Sequence, residues 1–461
     1  MRIAEAEVIP YALPLKEPYV TARGTLEERE VVLLRVRTDE GVVGLGEAVP
    51  LSLRGGETLS RVERSLLRMV RRLTRLDVTA MSGAEPLSAA VDAVIDVAAG
   101  RRLPAPAKAA VETAIFDLAG RMSGTPLWRM LRGEAAPPVR CNATLAAGSP
   151  LELAKEAARW RERGFTTFKL KLGLDDDGGR ARAVRDAVGP DVRLRVDANG
   201  AWSADRAVAV LDEIEPLAIE LAEQPTATLR GMARVAAATS IPIAADEGVT
   251  SAKEAKRALE TGACRLATVK LSKVGGIGPA GAIGAELPIY LSSSLDGPVG
   301  IAAAAHAAQA LYRGREDPGL AHGLATQELF DGTIASVECE LRDGLLHLPE
   351  GPGLGVEIDR DVPPPDRFLP VLQGIEAVGA TVVLLDDRNR RELDVEQVCY
   401  MLQKSSSDSC GIASAHQRDR ERSDRLEVAV TAWIRVPRIG VRRSGRLVLI
   451  AASEHGFPGI H

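Results

Sequence analysis

Three acidic residues, Asp197, Glu223 and Asp246, close three successive short apolar runs in the middle of the chain: RLRVDANG (193–200), IELAEQP (219–225) and PIAADEG (242–248). Lysines bracket them, Lys169 and Lys171 in KLKLG before and Lys270 in TVKLSKVGG after. Asp197, Glu223, Asp246 and Lys270 follow one another at intervals of 26, 23 and 24 residues. Each interval holds one strand and one helix. That period is the strongest constraint on the fold, because parallel strands joined by helices place all their carboxyl ends on one face. Eight strand-like runs occur at 139–146, 167–172, 193–198, 219–223, 242–246, 268–272, 288–293 and, more weakly, 321–325. Ala-rich helical segments such as 151–163, 204–213 and 251–261 lie between them, after a leading helix at 107–122. The spacing also fits a doubly wound sheet, but eight runs are what a TIM-like (β/α)₈ barrel requires.

The regions on either side read differently. Residues 1–105 predict an α+β capping domain. Alternating runs at 2–9, 30–37 and 42–49 form an antiparallel meander, with a hairpin turn at Asp39-Glu40-Gly41 and helices over 57–74 and 88–99. Its loops Pro18–Thr25 and Pro50–Glu57 are placed to cover a neighbouring site. Residues 106–365 make the barrel domain and leave through a Gly/Pro-rich exit, 349–365. Residues 366–461 are a C-terminal extension whose order the sequence leaves open. VVLLDD (382–387) reads as a strand, 391–402 as a short helix, and 404–425 as disordered for want of apolar residues.

Composition narrows the class. A net charge of −5, with no basic stripe interleaved with aromatics before residue 365, excludes a nucleic-acid role. Five dispersed cysteines without a CxxC pair read as reduced thiols. The first fifteen residues lack a basic segment followed by an apolar one, so no secretory leader is expected. No run approaches the roughly 20 apolar residues of a membrane span. A cytoplasmic enzyme is expected, one compatible with a homo-oligomer and with a small-molecule carboxylate as its partner.

One carboxylate from each of three adjacent strands gives three oxygen ligands and leaves an open side, which suits Mg²⁺, with Mn²⁺ as the substitute. No His or Cys accompanies them, which argues against zinc. Lys169 and Lys171 are two apart and so share one face of their strand. Mutual repulsion and partial desolvation are expected to lower a lysine pKa there, making a base. Lys171, nearer the strand's carboxyl end, is the expected base and Lys169 its electrostatic support. Lys270 would face Lys171 across the metal. The chemistry expected is removal of the proton α to a metal-bound carboxylate, the cation stabilising the enediolate. A Lys base with Mg²⁺ is a recognised enolase-superfamily pattern.

Lys169-Leu-Lys171, Asp197-Ala-Asn199-Gly200, Glu223-Gln-Pro225, Asp246-Glu247 and Lys270 with Gly275-Gly276 resemble the enolase superfamily in its muconate-lactonizing subgroup, over residues 1 to about 360. The seventh strand ends in Leu291-Ser292-Ser293-Ser294 where the mandelate-racemase subgroup would place a His base, and His306 falls on a later helix as a packing residue. PYVTARGTLEERE (18–30), GEAVPL (46–51) and YLSSSLDGPVGIAAAAH (290–306) look most like o-succinylbenzoate synthases of menaquinone biosynthesis. That resemblance implies a syn dehydration of 2-succinyl-6-hydroxy-2,4-cyclohexadiene-1-carboxylate. Lys171 would be base and then acid, Lys270 and Asn199 would support it, and Asp197, Glu223 and Asp246 would hold the metal. The second carboxylate would meet Ser292, Ser293 and Ser294, with Arg23 or Arg54 screening its charge. N-succinylamino acid racemase, dipeptide epimerase and muconate cycloisomerase remain alternatives. Against the epimerase, AHGLATQELF (321–330) lacks the Asp-x-Asp pair that holds a substrate ammonium; against the cycloisomerase, Asp296 stands where a Glu is common.

Overall fold

The computed structural model describes residues 1–21, 24–50, 56–82, 103–132, 136–146, 148–311 and 317–359, together with four strands nearer the carboxyl terminus. The chain forms two compact units, Met1–Pro363 and Pro364–His461. Arg23, Arg54, the helix expected at 88–99 and the polar stretch 404–425 lie outside the described residues.

The first unit begins with the expected meander, β1 (Ile3–Thr21), β2 (Gly24–Thr38) and β3 (Val43–Ala48), paired antiparallel in that order. Gly41 takes φ +85° in the β2–β3 turn, a conformation that costs glycine least. Within the loop expected at Pro18–Thr25, the described residues instead continue the first hairpin, with Tyr19 opposite Leu26 and Thr21 opposite Gly24. Tyr-Val-Thr has the aromatic and β-branched composition of a strand, and it extends the ladder. The helix Leu59–Leu73, capped by Thr58 on Arg61 N, buries Leu59, Val62, Leu66, Met69 and Leu73. The helix Ala105–Ser123 lies close against β3. A Cβ at Gly46 would stand 1.9 Å from Ala110 O, and one at Gly44 2.4 Å from Ala114 O. Two glycines two apart on one strand face thus let sheet and helix backbones approach. Asp117 of that helix fastens the junction, accepting from Leu45 N (2.9 Å) and Leu354 N (2.7 Å) and pairing with Arg121.

After β4 (Val139–Arg140), seven parallel strands follow: β5 (Ala143–Leu145), β6 (Thr167–Lys171), β7 (Arg193–Asp197), β8 (Ile219–Glu223), β9 (Ile243–Ala245), β10 (Leu266–Val269) and β11 (Ile289–Leu291). Their order in the sheet is their order in the chain, which excludes the doubly wound alternative, where strand order reverses. The weak eighth run forms single bridges in place of a regular strand. His322 pairs with Cys141 on one side and Gly323 with Ser292 on the other, so the ring closes. Helices Pro150–Glu162, Ala204–Ile214 and Ala252–Glu260 connect the strands, each with a Ser N-cap bonded to the third residue on.

Short strands β12 (Ala335–Val337), β13 (Glu340–Arg342), β14 (Leu345–His347) and β15 (Glu357–Ile358) complete the unit, with β13 and β14 joining β4. The second unit contains β16 (Val382–Asp386), β17 (Asn389–Leu393), β18 (Ile434–Arg435) and β19 (Arg446–Leu449) in an antiparallel sheet ordered β17-β16-β19-β18. Residues 391–393 are therefore strand where a helix was expected, because pairing with β16 supplies a ladder that local periodicity cannot show. No helix among the described residues is long and apolar enough to cross a membrane.

Candidate active site

Register brings the acidic residues level. Lys171 is the parallel partner of Asp197, Asp197 of Glu223, and Glu223 pairs with Ala244, two residues before Asp246. All three carboxylates are fully buried at the strand ends. Lys169 sits one layer beneath, its Nζ 2.7 and 2.6 Å from the two oxygens of Glu223 and 2.9 Å from Asp197 Oδ2. Lys171 Nζ reaches Asp197 Oδ2 (2.5 Å) and Asn199 Oδ1 (3.0 Å). Opposite, four strands along the sheet from Lys171, Lys270 donates to Asp246 Oδ2, and Lys273 to Asp246 Oδ1 and its backbone oxygen. The five residues Lys171, Lys270, Asp197, Glu223 and Asp246 therefore meet on one face, with Lys169 and Asn199 beside them.

Electrostatics separates the two lysines of β6. Burial opposes the charge of Lys169, but Asp197 and Glu223 outweigh it and hold its pKa well above the ordinary value. The depression expected of a repelling lysine pair does not fall on Lys169, because anions surround it more closely than Lys171 does. It is a fixed cation. Its side chain is 4% exposed, against 13% for Lys171, so Lys171 is the one that reaches the opening. Burial would raise Asp197, yet Lys169 and Lys171 hold it well below the usual carboxylate range. Glu223 is raised, by burial and then by the charge of Asp197, and is the more easily protonated of the two.

Among the described residues, no three acidic, imidazole or thiol groups stand as a ready-made metal cage, since each carboxylate is held by an ammonium. The donor set nonetheless fits a hard cation. Asp246 repels both Asp197 and Glu223, so three anions share a small volume, and every candidate donor is an oxygen.

Asn199 was expected as a supporting residue; Gln224, Glu247, Tyr290 and Glu47 were not given a role by the sequence argument. Gln224 (φ +39°) accepts from Asp246 N at 2.8 Å and Gly248 N at 3.1 Å, which fixes the turn after β9. Asn199 (φ +47°) donates to Glu247 Oε1 at 3.3 Å and takes its own backbone bond to Asp197 Oδ1 at 2.9 Å. Tyr290 donates to Glu223 Oε2 at 2.5 Å. Lys273, one turn beyond Lys270, also contacts Asp246 directly. From the cap, Glu47 accepts from Tyr11 OH (2.8 Å) and Gly297 N (2.7 Å), docking β3 on the loop after β11. Only the positions of Gln224 and Glu247 beside the acidic motifs could have signalled them.

In the β11 loop, Ser292 N bonds to Val269 O and Ser292 bridges Gly323. Ser293 Oγ accepts from Asp296 N and Thr326 Oγ1, both at 2.8 Å, and Ser294 N donates to Asp296. Of the three hydroxyls, that of Ser293 is spent shaping the loop, whereas the buried Ser294 Oγ has no hydrogen-bond partner among the described residues. His306 is a buried helix residue between Trp128 N and Leu354 O, with burial lowering its pKa to about 4.

Residues 3–132 match the mandelate racemase / muconate lactonizing enzyme N-terminal domain, and residues 152–362 the enolase C-terminal domain-like family. The L-Ala-D/L-Glu epimerase of Bacillus subtilis is 33% identical over 368 residues, 77% of this chain and 97% of the relative. The chain belongs to the enolase superfamily, in its muconate-lactonizing subgroup. Another relative in that superfamily, the N-succinylamino acid racemase of Thermus thermophilus, is 34% identical over 78% of this chain and 95% of its own length. The crystal structure of a dipeptide epimerase from Enterococcus faecalis complexed with Mg and L-Leu-L-Tyr superposes with a TM-score of 0.70 at 29% identity, covering 77% of this chain and all of that one. Both superfamily domain matches end before residue 363.

Proposed function

We propose that this enolase-superfamily member is a Mg²⁺-dependent isomerase that moves the α-proton of an N-acylamino acid carboxylate, with an N-succinylamino acid as the substrate class. The observation that carries the reading is the placement of Lys171 and Lys270 on opposite sides of the three carboxylates. Two bases facing one carbon from opposite sides are what inversion requires, and similarity to a racemase and an epimerase supports it. A dipeptide is the weaker substrate. Its ammonium needs an anion at the eighth strand position, where His322 instead accepts from Leu291 N and the segment 321–325 carries no acid.

Asp197, Glu223 and Asp246 would hold the cation. Such a cation would supply positive charge to a substrate carboxylate and to the charge that develops as the α-proton leaves. Lys171, in its neutral form, takes the α-proton, and Asn199 and Asp197 fix its ammonium head. Lys270 returns a proton to the opposite face. Lys169, held protonated, moves no proton; it keeps Asp197 and Glu223 in place.

A second reading shares the first step. The serine-rich β11 loop and the acid-free eighth position also suit the dehydration of a succinyl-hydroxycyclohexadiene carboxylate, with Lys171 returning its proton to the leaving hydroxyl. One set of experiments separates them. N-succinyl-L- and D-amino acids are incubated in D₂O with Mg²⁺ or EDTA, and α-proton loss is followed by NMR. Racemase activity gives EDTA-sensitive exchange from both enantiomers. Lys171→Ala and Lys270→Ala should each abolish exchange from one enantiomer, by a factor of about 10³. No exchange from any N-acylamino acid, with rapid loss of absorbance from the diene, overturns the racemase reading in favour of dehydration.

A further inference from the structure

Strand alternation places a second layer of side chains beneath the site, two residues before each functional one: Lys169 under Lys171, Arg195 under Asp197, and Tyr290 under Ser292. Leu221, Ala244, Leu266 and Tyr290 pack together as one apolar cluster. Tyr290 is fully buried, yet it carries a hydroxyl into this layer and donates it to Glu223 Oε2 at 2.5 Å. The guanidinium of Arg195, itself fully buried, lies 4.7 Å from the centre of the tyrosine ring and holds that ring from below.

We propose that Tyr290 is a positioning residue for Glu223, and that its hydroxyl sets which carboxylate oxygen is offered to a divalent cation. Oε2 accepts from both Lys169 and Tyr290, whereas Oε1 accepts from Lys169 alone among the described residues. The doubly bonded oxygen is pinned, and Oε1 is the one with capacity to spare. The inference rests on the metal reading given above, because it needs Glu223 to be a ligand. A hydrogen-bond partner of a ligating carboxylate restricts the rotamers the ligand samples, and its loss typically weakens metal binding about 10- to 100-fold.

The test is Tyr290→Phe, which keeps the ring, its packing and its stack on Arg195 while deleting one oxygen. Mg²⁺ binding to substrate-free protein is measured by titration calorimetry, with Mn²⁺ binding by electron paramagnetic resonance as the second readout. The dissociation constant should rise about tenfold. In turnover the concentration of Mg²⁺ needed for half-activation should rise by the same factor, with kcat at saturating Mg²⁺ changed less than twofold. Unchanged metal affinity in a folded Tyr290→Phe protein overturns the proposal and leaves the proposed function standing. A loss of kcat at saturating metal with affinity intact also overturns it. Failure of the unaltered protein to bind either cation sinks both readings together.

Discussion

Replacing Lys169 by Met removes an ammonium that touches two of the three site carboxylates, Asp197 and Glu223, while preserving a buried unbranched chain. It deletes contacts of 2.6 and 2.7 Å to Glu223 and 2.9 Å to Asp197. Both acids are fully buried, so neither can recover solvation by turning outward. Breaking a buried ion pair from one side costs about 3–5 kcal/mol. With an unfolding entropy of roughly 2.1 cal/mol/K per residue, spread over a unit of about 360 residues, Tm should fall by about 4–7 °C. The fall should be largest in EDTA. Saturating Mg²⁺ offers the same two carboxylates positive charge and should restore at least half of the loss. Thermal unfolding of wild type and Lys169→Met, each with EDTA and with excess Mg²⁺, measures both quantities. A drop of under about 1 °C in EDTA, or an equal drop with and without Mg²⁺, would refute the view that Lys169 is a fixed countercharge.

Two further outcomes probe the cap. Gly46→Ala puts a Cβ 1.9 Å from Ala110 O, a backbone atom in a helix that cannot yield cheaply; a loss of about 3 kcal/mol is expected in urea unfolding, and an unchanged midpoint would show that the helix shifts freely. Glu47 is pushed up from 4.5 to about 7 by burial and then by Asp296. Its folded state holds a proton that the unfolded chain releases, so its contribution is full below pH about 4.5 and is lost as pH rises toward 7. The loss is on the order of 3 kcal/mol. Glu47→Gln should flatten that part of the Tm-against-pH curve, and an identical slope in both proteins would refute the assignment.

The barrel was legible because its evidence is repeated. Each strand–helix unit restates the same period, and errors of a residue or two at the ends do not change it. The level of the carboxylates, Lys171 and Lys270 was legible for the same reason, as each lies at or just beyond a strand end and parallel strands end together. The hairpin tip at 19–26 and the strand at 389–393 were misread because both depend on a partner strand that no local window contains. Lys169 looked like half of a repelling pair along its own strand. Across strands it faces Asp197 and Glu223, 28 and 54 residues away, and those neighbours decide its charge.

By itself, the sequence determined the order of strands and helices, the face on which each functional side chain emerges, and the oxygen-rich character of the site. These follow from backbone periods of 2 and 3.6 residues, which are properties of the chain taken locally. Only the tertiary structure decided which ammonium neutralises which carboxylate, that Tyr290 reaches Glu223 from 67 residues away, and that Glu47 of the cap meets Gly297 across 250. Charge and hydrogen bonding act through space over a few ångströms, and closure of the barrel brings those distant positions within that range.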